Sequence, residues 1–187
     1  AARYRLVRDR SAAMTAPAPE QPDFRLLVVF DLDETVVHTL PERRDTPCRV
    51  HRLEGHTVIE RPYVSEMLRA LAPVCTLAIW TVGTSDYAEF VAERVFRPHC
   101  DLAFVYSRDR CTRRFDPATS MDYDVKDLKK VFRRGFPRER VLMVDDTPRK
   151  LERHYGNLVT VREFLFGDGK YGIFEVLKHI VPGLLCD

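Results

Sequence analysis

Two aspartates separated by one leucine follow the first long apolar run of the chain. Asp31, Leu32 and Asp33 stand directly after the run Leu26–Phe30. If the strand continues through them, both carboxylates share one face while Leu32 points into the core. Such a pair suits phosphoryl transfer, because one carboxylate can attack phosphorus while the other protonates the leaving oxygen and later deprotonates water.

Hydroxyl, carboxylate and amine side chains stand next to other apolar runs. Thr81 follows the second run, Asp145 and Asp146 follow a later one, and Lys126 opens a helix expected before that later run. Each is ordinary alone, since Asp after a strand is common turn chemistry and a single Lys on a helix is usually solvated. Together, in this order and at strand ends, they favour a catalytic site.

Four carboxylates brought to one edge of a sheet would repel each other unless a cation lies among them. Magnesium fits this need, because it prefers oxygen ligands and binds one or two carboxylates together with substrate phosphate. The chain offers no Cys/His cluster that would bind a transition metal instead. We therefore predict a Mg²⁺ site, with the four predicted ligands Asp31, Asp33, Asp145 and Asp146.

Apolar runs alternate with helical patterns along most of the chain. Strands are predicted at 26–30, 76–81, 102–106, 141–144 and 158–161. Ser65 can cap a helix that Pro73 stops, and further helices are predicted at 85–95, 125–132 and 173–180. Residues 49–59 alternate around Glu54 and Gly55, which predicts a hairpin. The alternation indicates an α/β fold with a mainly parallel sheet, helices on both faces, and ligands bound beyond the carboxyl ends of the strands.

The bulk composition limits the class of protein. The 187 residues are 45% hydrophobic, enough for one domain, and a net charge of +2 does not demand nucleic acid. Five cysteines without a Cys-x-x-Cys pair argue against a zinc site or a disulfide framework and suit a reducing compartment. The apolar runs are too short to cross a bilayer, and no leader pattern is present. We expect an intracellular protein, cytoplasmic or, in a eukaryote, nuclear, with no membrane partner.

The chain divides into a tail and one domain. Residues 1–23 are rich in Arg, Ala and Pro, so we expect them to be disordered. Residues 24–187 are expected to form the catalytic domain, with a short hairpin insertion at 39–60.

The whole set of motifs resembles the haloacid dehalogenase superfamily of phosphotransferases. Within it, the chain is similar to the phosphatases of the RNA polymerase II C-terminal domain and their nuclear LIM interactor-interacting factor relatives. The resemblance is carried by Phe30–His38, Arg61-Pro62, Trp80-Thr81 with Tyr87-Ala88, Tyr123–Leu128 and Val144–Pro148. It implies a Rossmann-like fold without a large cap domain and a magnesium-dependent phosphatase that forms a phospho-aspartate.

The resemblance also implies roles for single residues. Asp31 would be the nucleophile, and Asp33 the acid and base, with its carbonyl oxygen on the metal. Lys126 would stabilise the phospho-aspartate, and Asp145 would bind metal. Asp146 stands where these relatives often carry asparagine.

Substrate binding is implied for a second group of residues. Thr81 and the backbone amides of Val82 and Gly83 would hold the phosphoryl oxygens, and Arg108 would lie near the substrate. The chain departs from the polymerase-tail phosphatases between Thr39 and Thr57, where they carry a longer insertion with an apolar pocket.

The expected partner is a phosphorylated macromolecule. The segments 32–80 and 82–125 are already filled by predicted elements, so neither leaves room for a cap that would enclose a metabolite. A protein substrate carrying phosphoserine or phosphothreonine is favoured, and arginines at 108, 110, 113 and 114 could line the rim or simply be solvated. The basic stretch 129–134 keeps a nucleic-acid end phosphatase as an alternative, and a silent phosphoprotein-binding module is another. The oligomeric state stays open.

Overall fold

A computed structural model of the chain describes residues 25–42, 45–165 and Ile173. The predicted tail at 1–23 lies outside these residues, and so does all of the predicted closing helix except Ile173. In the described part the strands are β1 Leu26–Phe30, β2 Val37–Leu40, β3 Val50–Leu53, β4 His56–Glu60, β5 Cys75–Trp80, β6 Leu102–Tyr106, β7 Thr112–Asp116, β8 Met121–Val125, β9 Val141–Asp145 and β10 Leu158–Thr160. The α-helices there are α1 Val64–Leu71, α2 Ser85–Val91 and α3 Lys129–Phe132.

A five-stranded parallel sheet forms the centre, in the order β10-β9-β1-β5-β6. The chain runs outward from β1 through β5 to β6 on one side, and later returns to place β9 on the other side of β1. The strand order therefore reverses between β1 and β9, and such a switch point opens a crevice at the carboxyl ends of the strands. The five strands predicted from the sequence are confirmed to within one residue at each end.

Strand β1 is buried on both faces, which explains its continuous apolar sequence. Val28 and Phe30 belong to the core that contains α1 and α2, whereas Leu27 and Val29 belong to a second core with Leu128 of the segment before α3. Alternate residues of one strand thus anchor helices on both faces of the sheet. This two-sided burial holds the end of β1, where Asp31 stands, in a fixed position.

The insertion after β1 is larger than the predicted hairpin. Strands β3 and β4 form that hairpin, but β2 adds on the other side of β4, giving an antiparallel sheet in the order β2-β4-β3. Strand β2 escaped prediction because its Val-His-Thr-Leu sequence is short and directly follows the turn at 34–36.

Two helix predictions need correction. Helix α1 begins at Val64 after Tyr63, whose backbone is left-handed, so Ser65 lies inside the helix and is not its N-cap. Helix α2 is followed by a π-helical turn at Ala92–Phe96, within the segment predicted as one regular helix.

The region around Lys126 also differs from prediction. Strands β7 and β8 form an antiparallel hairpin that the sequence did not suggest, and Val125 ends β8. The helix predicted at 125–132 is therefore only the short α3, and Lys126 lies in the connection between β8 and α3. Val125 belongs to strand β8 and not to the helix because it pairs with Thr112 across the β7–β8 hairpin.

Among the described residues, no helix combines the length and the apolar character that crossing a bilayer would require.

Candidate active site

The carboxyl ends of β1 and β9 bring two aspartates together. The two strands pair in parallel up to Phe30 and Val144, and the Asp31 N–H donates to the Val144 carbonyl at 2.9 Å. Asp31 and Asp145 therefore leave neighbouring strands at the same level, and both are fully buried. The site lies at the switch point of the sheet.

Two lysines surround the Asp31 carboxylate. Lys126 Nζ lies 2.7 Å from Asp31 Oδ1 and 2.7 Å from Asp145 Oδ2. Lys150 Nζ donates to Asp31 Oδ2 at 2.6 Å and lies 3.4 Å from Asp145 Oδ1. Asp31 Oδ1 has no hydrogen-bond partner in the described part of the chain, so Lys126 balances its charge without a well-directed hydrogen bond.

The charges around Asp31 decide its protonation. Burial alone would raise the pKa of Asp31, but the positive charges of Lys126 and Lys150 hold that pKa below its ordinary value. For Lys150, burial acts against the charged form, yet the charges of Asp31, Asp145 and Asp146 raise its pKa above the ordinary value. Asp31 is therefore ionised at neutral pH, as a nucleophile must be.

Asp33 has a different environment from Asp31. Its Oδ1 accepts from the Tyr87 hydroxyl at 2.6 Å, and its Oδ2 accepts from Thr81 Oγ1 at 3.3 Å. Burial raises the pKa of Asp33 and outweighs the hydrogen bond from Tyr87. A carboxyl group that holds a proton more firmly than usual suits a general acid.

The residue that follows Val82 must be glycine because the backbone there lies close to the ring of Tyr87. A β-carbon at Gly83 would lie 2.7 Å from Cδ1 of the Tyr87 ring. Any side chain at this position would push Tyr87 away from Asp33. The Gly83 N–H also donates to Thr81 Oγ1 at 2.9 Å, which closes the turn after β5.

Asp146 is tied to the turn after β1. Its N–H donates to Thr35 Oγ1 at 3.1 Å, its Oδ1 lies 3.2 Å from the same hydroxyl, and its Oδ2 accepts from Thr147 Oγ1 at 2.9 Å. Burial raises the pKa of the neighbouring Asp145 to about 6. Through its two contacts with Asp146, the fully buried Thr35 joins the loops that follow β1 and β9.

The carboxylate cluster could hold a metal ion. One oxygen from each of Asp31, Asp145 and Asp146 lies within 4.8 Å of the others. The ammonium of Lys150 lies among these three carboxylates, 3.6 Å from Asp146 Oδ1, which shows that the cluster accommodates a cation. Three hard oxygen donors suit Mg²⁺. The side chain of Asp33 is outside this cluster, and the proposed role of its carbonyl oxygen stays a prediction.

Arg108 supports the loop that follows Thr81. The side-chain Nε of Arg108 donates to the Val82 carbonyl at 2.6 Å, and its backbone N–H donates to the Gly83 carbonyl at 3.0 Å. Its guanidinium also lies 3.9 Å from Asp124. These contacts fix the carbonyl side of the loop whose amides are expected to face phosphate.

The structure thus brings together most residues predicted from the sequence. Lys126, Asp31, Asp145 and Asp146 form one cluster, Asp33 and Thr81 form an adjacent pair, and Arg108 lies behind the loop. Sequence reasoning missed two contributors, since it used Tyr87 as part of the family resemblance without a role in the site, and it gave Lys150 no role. The four-residue spacing from Asp146 to Lys150 could have suggested Lys150, because a helical turn after a strand carries such a residue back over the strand end.

Comparison with known proteins identifies the family. The chain matches the model of the NLI interacting factor-like phosphatases over residues 26–181 and belongs to that family. The resemblance predicted from the sequence motifs is confirmed.

Two curated relatives are similar to part of this chain, and both are longer than it. Carboxy-terminal domain RNA polymerase II polypeptide A small phosphatase 2 of Homo sapiens is 28% identical over 151 residues, which cover 78% of this chain and 52% of that protein. Carboxy-terminal domain RNA polymerase II polypeptide A small phosphatase 1 of Homo sapiens is 28% identical over 165 residues, which cover 77% of this chain and 54% of that protein. The chain spans about half the length of these two relatives.

A solved structure shares the fold. The fission yeast RNA polymerase II C-terminal-domain phosphatase Fcp1, bound to beryllium fluoride, superposes with a TM-score of 0.55 at 20% identity, covering 83% of this chain and 46% of that one. The predicted fold class, a mainly parallel α/β sheet of the haloacid dehalogenase type, is confirmed.

Proposed function

We propose that this chain is a magnesium-dependent phosphomonoester hydrolase that works through a phospho-aspartate on Asp31. Its substrates are phosphoserine and phosphothreonine in proteins. The observation that carries the proposal is the contrast between two carboxyl groups at one strand end. Asp31 is held ionised between two ammonium groups, whereas burial, which outweighs the hydrogen bond from Tyr87, favours the protonated form of Asp33.

In the first step an oxygen of Asp31 attacks the phosphorus of the substrate. The bond from phosphorus to the ester oxygen breaks, and Asp33 gives its proton to that leaving oxygen. Thr81 Oγ1 and the Val82 amide orient the phosphoryl oxygens, and the Gly83 amide joins them once its N–H turns from Thr81 Oγ1 to the phosphate. Lys126 balances the charge on Asp31. The product is a mixed anhydride of Asp31 and phosphate.

In the second step water attacks the phosphorus of this anhydride. Asp33, now a carboxylate, takes a proton from the water, and the bond from phosphorus to Asp31 breaks. Inorganic phosphate leaves, Asp31 is an anion again, and Asp33 is protonated for the next cycle. Tyr87 keeps Asp33 in place through both steps.

Asp31, Asp145 and Asp146 would hold the magnesium ion, which supplies positive charge for the phosphoryl oxygens. Two relatives are named as phosphatases of the RNA polymerase II carboxy-terminal domain, a protein substrate. For this chain the substrate class rests on that relationship and on the open cleft. The setting we propose is intracellular, as expected from the sequence.

Replacement of Asp31 tests the nucleophile. Asp31→Asn should lower turnover of an aryl phosphate by at least about a thousandfold, because an amide cannot attack phosphorus. A substrate labelled with radioactive phosphate should leave a hydroxylamine-sensitive label on the wild-type protein and none on the variant. Asp101→Asn, at an exposed position, is the control and should behave as wild type. Turnover by Asp31→Asn within a few-fold of wild type contradicts the proposal.

Removal of magnesium tests the metal. A chelator should abolish turnover, and added magnesium should restore it. Calcium should support little turnover, since it is larger and less strict in geometry. Asp145→Ala should raise the magnesium concentration needed for half-maximal activity by about tenfold or more, because a ligand is lost. Full activity in excess chelator would show that the chemistry needs no divalent ion.

A further inference from the structure

Lys150 is the least expected residue of the site. It follows Asp145 by five positions on the short 3₁₀ turn Pro148–Leu151, and its side chain is only 17% exposed. Its ammonium is within 3.6 Å of all three carboxylates that could hold a metal ion. Lys126, in contrast, contacts Asp31 and Asp145 from a fully buried position. The two lysines therefore do not duplicate each other.

The ammonium of Lys150 contacts the same three carboxylates that could hold a divalent ion. A divalent ion held by Asp31, Asp145 and Asp146 would use carboxylate oxygens of the same three residues that face the ammonium of Lys150. Two cations at this separation repel strongly where water is largely excluded. Lys150 and a metal ion therefore cannot share the cluster at full contact.

The molecule leaves space for Lys150 to move. The side chain borders a cavity of about 230 Å³ that is also lined by Val82, Tyr123 and Asp124. Asp124 is paired only loosely there, with Arg108 at 3.9 Å.

We propose that Lys150 is a built-in competitor of the divalent cation, which stabilises the carboxylate cluster before metal binds and sets the affinity of the site for metal. The inference rests on the proposed function, since it assumes that the cluster binds a divalent ion. It assigns to Lys150 a task separate from that of Lys126, which contacts Asp31 and Asp145 but not Asp146 in the pairs described.

Direct metal binding without substrate tests the competition. Mn²⁺ is titrated into wild type, Lys150→Met, Lys150→Arg and Lys129→Met, and free Mn²⁺ is followed by its electron paramagnetic resonance signal. Lys150→Met removes the competing charge, so the affinity of this variant for Mn²⁺ should be about tenfold or more above that of wild type. Lys150→Arg keeps a cation and should show no such rise. Lys129→Met, an exposed lysine changed in the same way, should match wild type.

A second measurement uses the wild-type protein alone. An amine-reactive reagent is applied in chelator and in magnesium, and labelled peptides are quantified by mass spectrometry. Labelling of Lys150 should rise several-fold with magnesium because the ammonium leaves the cluster, while labelling of the exposed Lys129 stays constant. This result does not depend on whether any variant folds.

The proposal is overturned if Lys150→Met binds Mn²⁺ no more tightly than wild type, or if magnesium leaves Lys150 labelling unchanged or lowers it. If neither wild type nor Lys150→Met binds Mn²⁺, the proposal is overturned together with the magnesium part of the proposed function. The nucleophile is judged separately, by the Asp31→Asn experiment. A protein that binds metal but hydrolyses no phosphomonoester would refute the phosphatase proposal and leave the competition measurable.

Discussion

The two aspartates after β1 have opposite surroundings although a single residue separates them. Asp31 faces two lysines, whereas Asp33 faces the hydroxyls of Tyr87 and Thr81. Environments that move the pKa values of two carboxyl groups apart are how one site obtains both an anion and an acid. Burial acts on both groups, and the lysines reverse its effect at Asp31.

Tyr87 belongs to this division of roles because it orients Asp33. Tyr87→Phe removes the 2.6 Å hydrogen bond while keeping the ring, so the acid loses its fixed direction. We expect turnover of an alkyl phosphate to fall by about tenfold or more, since a poor leaving group depends on the proton. An aryl phosphate with a good leaving group should be affected far less. The ratio of kcat/KM for the two substrates is the measurement.

Two comparisons make the Tyr87 test specific. Thr39→Val removes the other partner of the Tyr87 hydroxyl, at 2.9 Å, and leaves its bond to Asp33. It should change the ratio much less than Tyr87→Phe does. Equal losses on both substrates in Tyr87→Phe would mean that the tyrosine supports the fold of the site and not the acid.

At the scale of elements, the connection from β8 to α3 and the turn at Pro148–Leu151 hold the two lysines. The Lys126 N–H donates to the Lys150 carbonyl at 2.7 Å, so the backbones that carry both ammonium groups are joined directly. Next to this contact, Asp127 Oδ1 binds His154 Nε2 at 2.9 Å, and its Oδ2 lies 3.4 Å from Arg153. Asp127 thus clamps one segment to the other.

This clamp predicts a pH-dependent contribution to stability. Burial would raise the pKa of Asp127, but hydrogen bonds from His154 and the Lys129 N–H, with the nearby charges, hold it below the ordinary value. A pKa lowered by folding means that the ionised form favours the folded state. The contribution is present above the unfolded pKa of about 3.9 and is lost as the pH falls through the folded value.

Asp127→Asn should therefore destabilise the protein at neutral pH by roughly 1 to 3 kcal/mol, since hydrogen bonds to a charged group are weakened. Urea unfolding at pH 7 and at pH 3 measures this, and the difference from wild type should shrink at the lower pH. Asp101→Asn is the matched exposed control. A loss of equal size at both pH values would assign the effect to packing and not to charge.

Elements were predictable where burial on two faces leaves a continuous apolar run. Strands β1, β5 and β9 have this signature, and the aspartates and threonine at their ends follow directly from it. The β7–β8 hairpin has no such signature, because β7 is largely exposed and reads Thr-Arg-Arg-Phe-Asp. Lys150 was missed for another reason, since its spacing from Asp146 indicates only one of its contacts. Its partners come from the ends of β1 and β9, and only the assembled sheet brings them together.

At the scale of the whole molecule, the site is bordered by small elements. The insertion contributes Leu53, Glu54 and His56 to a cavity of about 350 Å³ that reaches Asp33 and Arg108. On the other side, the smaller cavity beside Lys150 is lined by Tyr123 and Asp124 of β8. The loop that follows Thr81 borders both cavities, through Gly83 in the larger and Val82 in the smaller.

The arginines of the β7–β8 hairpin are not isolated charges. Arg113 lies 3.3 Å from Asp122, and Arg114 lies 3.6 Å from Glu152, yet both side chains remain exposed. Exposed ion pairs of this kind are weak, so an acidic peptide can compete for the guanidinium groups. We therefore expect Arg113 and Arg114 to favour acidic substrates, with a smaller effect than unpaired arginines would give.

We expect phosphoserine or phosphothreonine peptides to be hydrolysed with higher kcat/KM than free nucleotides, sugar phosphates or 5′- and 3′-phosphorylated oligonucleotides. The described elements provide borders but no enclosure for a small metabolite, whereas a peptide gains contacts along its length. Changing both Arg113 and Arg114 to Ala should raise KM for acidic phosphopeptides by about threefold to tenfold, an effect that weakens with salt. Turnover of an aryl phosphate should not change. Arg94→Ala, an exposed arginine on the π-helical turn, is the control. If a nucleotide, a sugar phosphate or an oligonucleotide end is preferred by orders of magnitude, the open-cleft argument is wrong and the protein substrate must be abandoned.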